Sequence, residues 1–239
     1  MNSIIEEIYK TGRVQDDAGK LINAFPHSTR YEIGTFLYNL IQEEKLEKTL
    51  EIGMAYGLST LFICQAHHDR EIGHHIAVDP FQSKAWKSIG LLNSKRAGLD
   101  NRLRFFESYS YEILPKLVEK GEQLDFAFID GSHLFDDAFI DFFYIDKILN
   151  VGGFIAFDDI WMPALKQLVN FVLKNKPYEL FTISTTVPLS PLKRSAKILR
   201  HLLQGRLKDP LDPIHAAAQV CTLKKISDDN RPWDFHRSF

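Results

Sequence analysis

Between residues 48 and 182, short apolar runs alternate with stretches of helical period, and this alternation restricts the fold more than any other feature. The runs TLEI, HHIAVD, RLRFF, LDFAFID, GGFIAFDD and YELFTIST read as strands. Between them, LSTLFICQAHH, SKAWKSIGLLNSKRAG, YSYEILPKLVEK, LFDDAFIDFFYIDKIL and PALKQLVNFVLKN read as helices. A helix between two neighbouring strands demands a crossover, which makes the strands parallel and the connection right-handed. FAFI and FIAF are almost continuously apolar, as in sheets covered on both faces. AAAQVCTLKKI adds a last strand that returns antiparallel. The expected fold class is therefore α/β: a doubly wound, mostly parallel seven-stranded sheet with helices on both faces.

Residues 1–46, with the periodic segment IGTFLYNLIQEEKL, read as a helical cap added before this domain. The domain itself is expected over residues 47–225. It is interrupted at 187–216 by a basic, proline-containing excursion that reads as a solvated helix, with a lid or a dimer contact as the other options. Residues 226–239 form a C-terminal tail. The 29 basic and 31 acidic residues nearly balance, so no general field attracts nucleic acid or anionic lipid. No apolar run approaches the roughly 18 residues of a membrane span, and the N-terminus does not read as a secretory signal. A cytoplasmic protein is the expectation. Cys64 and Cys221 are far apart and belong to no metal-binding spacing.

The first long strand ends at Glu51-Ile52-Gly53, and the next helix begins near Gly57-Leu58-Ser59. In open α/β sheets ligands bind beyond the carboxyl ends of the strands. Gly53 and Gly57 clear side chains from a tight turn that must approach such a ligand. The spacing is neither the G-x-G-x-x-G of dinucleotide folds nor a phosphate-cradling P-loop. Glu51 would repel a pyrophosphate but favour an ammonium or sulfonium group, and S-adenosylmethionine carries both. Asp79, at the end of the second strand, can accept hydrogen bonds from both ribose hydroxyls. The plainer alternatives are a turn shaped only by its glycines and an aspartate that caps the following helix.

The fourth strand of this series ends at Asp130, and the fifth at Asp158-Asp159. Neighbouring strands would bring these carboxylates to one rim, where they repel unless a cation lies between them. Such hard oxygen ligands suit Mg²⁺, Mn²⁺ or Ca²⁺. Alternatively, Asp158 and Asp159 cap the next helix, and Asp130 orients the ammonium of the cofactor's methionine.

The turn LEIGMAYGLST and the strand end AVDP resemble the first two motifs of the class I S-adenosylmethionine-dependent methyltransferases, a Rossmann-like fold, over about residues 47–182. The resemblance implies cofactor contacts at Glu51, Gly53, Gly57, Ser59, Asp79, Ser110 and Asp130, with Ser110 at the position of an adenine contact. There, Ser108-Tyr109-Ser110 replaces the Gly-Asp-Ser of many relatives, and Tyr109 offers a stacking surface instead. DGSH followed by a strand ending in Asp-Asp is similar to the metal-dependent small-molecule O-methyltransferases of the catechol and sugar type. That resemblance implies Mg²⁺ on Asp130, Asp158 and Asp159, and His133 in place of a lysine that takes the substrate's proton, with Asp130 beside it. Catechol O-methyltransferase has Asn where this chain has Asp159. The implied acceptor is a small-molecule hydroxyl, and related O-methyltransferases are often homo-oligomers. Two rival readings are a methyltransferase-like binding module without catalysis and an NAD-dependent oxidoreductase on a similar sheet.

Overall fold

A computed structural model describes residues 2–188 and 216–235, so the basic excursion expected at 187–216 lies almost wholly outside the described residues. The seven-stranded sheet has the order β5-β4-β3-β6-β7-β9-β8. Its strands are β3 (Lys48–Ile52), β4 (His74–Val78), β5 (Leu103–Phe106), β6 (Leu124–Ile129), β7 (Leu149–Phe157), β8 (Tyr178–Pro188) and β9 (Ala216–Lys225). β3 pairs parallel with β4 and β6, and β4 with β5. β9 runs antiparallel to both β7 and β8, as the last strand was expected to do. The order reverses between β3 and β6, which is the switch point where open sheets of this kind bind ligands.

The N-terminal 46 residues are not helical throughout. α1 (Ser3–Thr11) ends at Gly12, whose positive φ of 69° lets its N–H cap Ile8. A hairpin of β1 (Arg13–Gln15) and β2 (Leu21–Asn23) then precedes α2 (Tyr31–Glu43). The reason lies in VQDDAGKLIN: Asp16 accepts the Lys20 N–H and Gly19 takes the left-handed conformation, which closes a turn where helical spacing would have continued.

By their contacts the residues form two compact units, one of 2–131 with 140–150 and the other of 132–139 with the described residues from 151 onward. In the first, Ile5, Ile8 and Val14 pack with Tyr56, Leu61 and Phe62, the last two from α3 (Leu58–Asp69). α3 is buried along nearly its whole length, because α2 covers it as well. Complete burial of one such apolar side chain contributes about 1.5–3 kcal/mol. In the second unit, Leu165, Leu168, Val169 and Val172 of α7 (Pro163–Asn175) are buried, as are Phe154, Phe157, Cys221 and Leu223 of the strands. The tail is tied down at Asp229, which accepts from Lys176 (2.7 Å) and from two nitrogens of Arg231 (2.7 and 2.8 Å). Arg231, and then Lys176, hold that carboxyl well below the usual range.

A polar chain crosses the core of the first unit. His67 Nε2 lies 2.8 Å from the Thr49 hydroxyl, which lies 2.9 Å from His75 Nδ1. His75 Nε2 is 3.3 Å from Glu51 Oε1. All four side chains are fully buried. Burial, and then the neighbouring His75, push the His67 pKa down to about 3. The unfolded chain therefore takes up a proton below about pH 6.5 that the folded chain refuses, and stability falls as the pH falls from there toward 3. Between pH 7 and pH 5 the native chain should lose about 2 kcal/mol more than a His67→Gln variant in urea titrations. Equal losses in the two chains would refute the assignment.

Candidate active site

At the switch point the chain leaves β3 through Gly53, whose φ of 90° is open to few side chains. A Cβ there would lie 2.1 Å from the Asp130 carbonyl oxygen, so the turn after β3 fits against the end of β6 only because the position is bare. Gly57, at φ 78°, opens α3 and lies against Gly90, the second residue of α4 (Ile89–Arg96), where a Cβ would be 2.9 Å from its Cα. Both glycines thus sit where the sequence required bare backbone.

Asp79 follows β4 and is almost completely buried. Its Oδ2 accepts the backbone N–H groups of Met54 (3.0 Å) and Ala55 (2.8 Å), and its Oδ1 accepts that of Phe81 (2.7 Å). Gln82 Nε2 completes the arrangement, 2.5 Å from the Ala55 carbonyl oxygen and 3.4 Å from Asp79. Ala55 itself is left-handed, at φ 46°. Asp79 therefore binds the turn after β3 to the end of β4, and the expected contact to ribose would have to share these oxygens.

Glu51 turns inward. Its Oε2 accepts from Ser59 at 2.7 Å, its Oε1 accepts from Thr60, and His75 stands beside it. A bound ammonium, the partner expected of this carboxylate, would have to compete with these donors. The Glu51 oxygens are engaged inside the protein, and the side chain reaches the turn through Ser59 and Thr60 at the start of α3. Ser110 opens α5 (Ser110–Glu119) and is half-buried. Tyr109, just before it, is exposed, stacks on Tyr111 (5.1 Å, 13°) and meets Phe81 edge-on at 5.9 Å.

The acid pair lies where β7 gives way to α7. Asp159 has φ 50°, and the Met162 N–H bonds back to its carbonyl at 2.8 Å, so the chain reverses here. Asp159 Oδ2 is 3.0 Å from His133 Nε2, a contact that becomes an ion pair only when the imidazole is protonated, while its Oδ1 accepts from the Trp161 indole at 2.8 Å. Asp158 Oδ1 accepts the Asp159 N–H at 2.7 Å and the Gln219 side-chain amide at 2.8 Å, and the same amide donates to Asp159. Burial first, and then the charge of Asp159, raise the Asp158 pKa to about 6. Burial works in the same sense on Asp159, but hydrogen bonds from His133, Trp161 and Gln219 outweigh it and leave that carboxyl below its ordinary value. The bond to Asp159 raises His133 in turn. Gln82 and Gln219 were not anticipated, nor was the bond of the Trp161 indole to Asp159. Gln82 stands three residues from Asp79, whereas Gln219 comes from a strand some sixty residues away and carries no local signal of its partners.

Residues 50–160 match the methyltransferase domain family. The chain is 32% identical over 139 residues to tapetum-specific methyltransferase 1 of Arabidopsis thaliana, a match that covers 57% of each chain. It is 30% identical over 139 residues to a flavonoid 3',5'-methyltransferase of Vitis vinifera, covering 56% of each. The chain thus spans little more than half the length of these curated relatives. Likeness of fold extends further. An O-methyltransferase from Bacillus cereus, solved in complex with SAH, superposes with a TM-score of 0.66 at 18% identity, over 94% of this chain and 92% of its own. An O-methyltransferase of tomaymycin synthesis from Streptomyces achromogenes, in complex with SAM, gives 0.65 at 14% identity, over 94% and 91%. The Rossmann-like methyltransferase fold expected from the sequence is therefore the fold of this chain.

Asp79→Ala would leave the buried N–H of Met54 and the partly buried N–H groups of Ala55 and Phe81 without their acceptor. At about 1–3 kcal/mol for an unsatisfied buried group, this variant should lose at least about 2 kcal/mol of unfolding free energy in urea. An unchanged midpoint and slope would show that the carboxylate does not hold the turn.

Proposed function

We propose that this chain transfers the methyl group of S-adenosylmethionine to a hydroxyl of a small molecule, assisted by a divalent cation. The observation that carries the reading is one cluster. Asp130, His133 and Asp159 can each offer a ligand atom within 4.8 Å of the others, and Asp158 precedes Asp159 in the chain. This donor set fits a hard cation: carboxylate oxygens predominate, and the neighbouring carboxylates repel one another in a way that a cation between them would relieve. Asp130, Asp158 and Asp159 are the proposed ligands. When bound, the cation lowers the pKa of an acceptor hydroxyl and fixes its position.

The remaining work falls to the chain's own residues. The turn of Gly53 and Gly57, with Asp79 behind it and Ser59 at its exit, receives the cofactor, and Ser110 with Tyr109 flanks the adenine. Asp130 ends β6 beside Gly53 and is suited to the cofactor's ammonium as well. His133, oriented by Asp159, accepts the hydroxyl proton, as a base must when oxygen attacks carbon. The oxygen forms a bond to the methyl carbon, the carbon–sulfur bond breaks, and its electron pair stays on sulfur, giving S-adenosylhomocysteine. Holding oxygen, carbon and sulfur in line is the main contribution of the protein, since the sulfonium already leaves readily.

The family match over residues 50–160 and the O-methyltransferases among the relatives and the solved structures support this reading. Near-neutral charge weighs against a nucleic-acid acceptor. No helix among the described residues is long and apolar enough to cross a membrane, and action in the cytoplasm, with self-association, belongs to the proposal.

Two measurements test it. With S-adenosylmethionine and catechol-type or sugar hydroxyl acceptors, EDTA should abolish turnover and Mg²⁺ should restore it, whereas full activity in chelator would remove the cation. His133→Ala should lower kcat by about 10²–10⁴-fold and leave the calorimetric affinity for S-adenosylhomocysteine unchanged. A retained kcat would exclude His133 as the base.

A further inference from the structure

The residue that holds the acid pair together comes from the far end of the chain. Gln219, near the start of β9, directs one side-chain nitrogen at Oδ1 of both carboxylates, 2.8 Å from Asp158 and closer still to Asp159. Its main chain is fixed as well, because its carbonyl accepts the Ile160 N–H at 3.1 Å. β9 continues antiparallel to β7 from there, with Cys221 opposite Phe157 and Thr222 opposite Ala156. The amide nitrogen carries two hydrogens, and each is used on a different carboxylate.

Adjacent aspartates repel, and the backbone adds strain by placing Asp159 at a positive φ. A lysine or arginine at position 219 would settle that repulsion more strongly than an amide does. It would also cancel the negative charge that draws a cation. An uncharged donor does something a cationic one cannot: it fixes the rotamers of both carboxylates and leaves their charge intact. His133 and Trp161 restrict Asp159 from other sides, through Oδ2 and Oδ1 respectively. Asp158 accepts a side-chain hydrogen bond from Gln219 and a second bond from the Asp159 backbone.

We propose that Gln219 is a positioning residue for the acid pair, a neutral clamp that presets Asp158 and Asp159 for a divalent cation while preserving their charge. The proposal rests on the cation reading above. Groups that orient metal ligands from behind typically change metal affinity by about 10–100-fold when they are removed.

The test is calorimetric titration of the full chain with Mn²⁺ alone, beside a thermal melt of each variant. Gln219→Leu, which keeps the volume but has no donor, should bind Mn²⁺ about 10–100-fold more weakly than the native chain. Gln219→Asn retains the amide one methylene short of its partners, and should weaken binding to a similar degree. Gln219→Lys should melt no lower than the native chain yet bind no Mn²⁺. This split separates a clamp that preserves charge from a merely structural contact, which a lysine would serve as well. Native affinity in the leucine and asparagine variants, with a native chain that binds, would overturn the role of Gln219 and leave the cation reading standing. A native chain that does not bind Mn²⁺ would overturn both. Should the lysine variant fail to fold, the leucine and asparagine variants decide the matter.

Discussion

The contact on which the architecture depends is the approach of the turn after β3 to the end of β6. Gly53 stands where any side chain would collide with the Asp130 carbonyl. The Asp130 N–H donates to Ile52 at 2.9 Å, and the Gly53 N–H donates to Val78 at 2.9 Å. Ile52 and Gly53 thus join three parallel strands at the place where their order reverses. Everything proposed for the cofactor follows from this junction. The turn is close-packed backbone, it starts a helix at Gly57, and it leaves N–H groups that need acceptors. Asp79 supplies those acceptors for Met54 and Ala55.

Much of this was legible in the chain. Apolar runs of strand length separated by helical periods gave the strand order its parallel core, because a crossover of that length permits little else. The glycines at 53 and 57 marked the turn because their bareness is needed whatever the ligand. The last strand was also read correctly as an antiparallel return. The N-terminal hairpin was not, since Asp16 and Gly19 close a turn inside a stretch whose apolar residues also fit a helix. Three strand residues do not outweigh that period.

The chemistry of individual side chains was less legible, for a physical reason. Residue type and position along a strand say which rim a carboxylate reaches, but not which donors compete for it. Glu51 was placed correctly on its strand, yet Ser59, Thr60 and His75 claim it inside the core. His75 was read as the start of a strand, but its full burial opposite Thr49 was not foreseen. Asp159 was read as a ligand, and His133 as a base. Their pairing with each other at 3.0 Å could not be foreseen from residues so far apart in the chain. Long-range donors such as Gln219 leave no periodic trace.

The buried carboxylate of Asp79 has a consequence for how a ligand would be met. Three backbone N–H groups and the Gln82 amide already hold it, and through it they hold Ala55 in a conformation that alanine seldom adopts. Loops that order only on contact with a ligand spend part of the interaction energy on becoming ordered. Here that ordering is completed when the chain folds, so a ligand meets a surface that has little entropy left to lose. The same economy makes folding and recognition hard to separate: whatever loosens the turn after β3 is felt first as a less stable protein, and only then as a weaker grip on the molecule it receives.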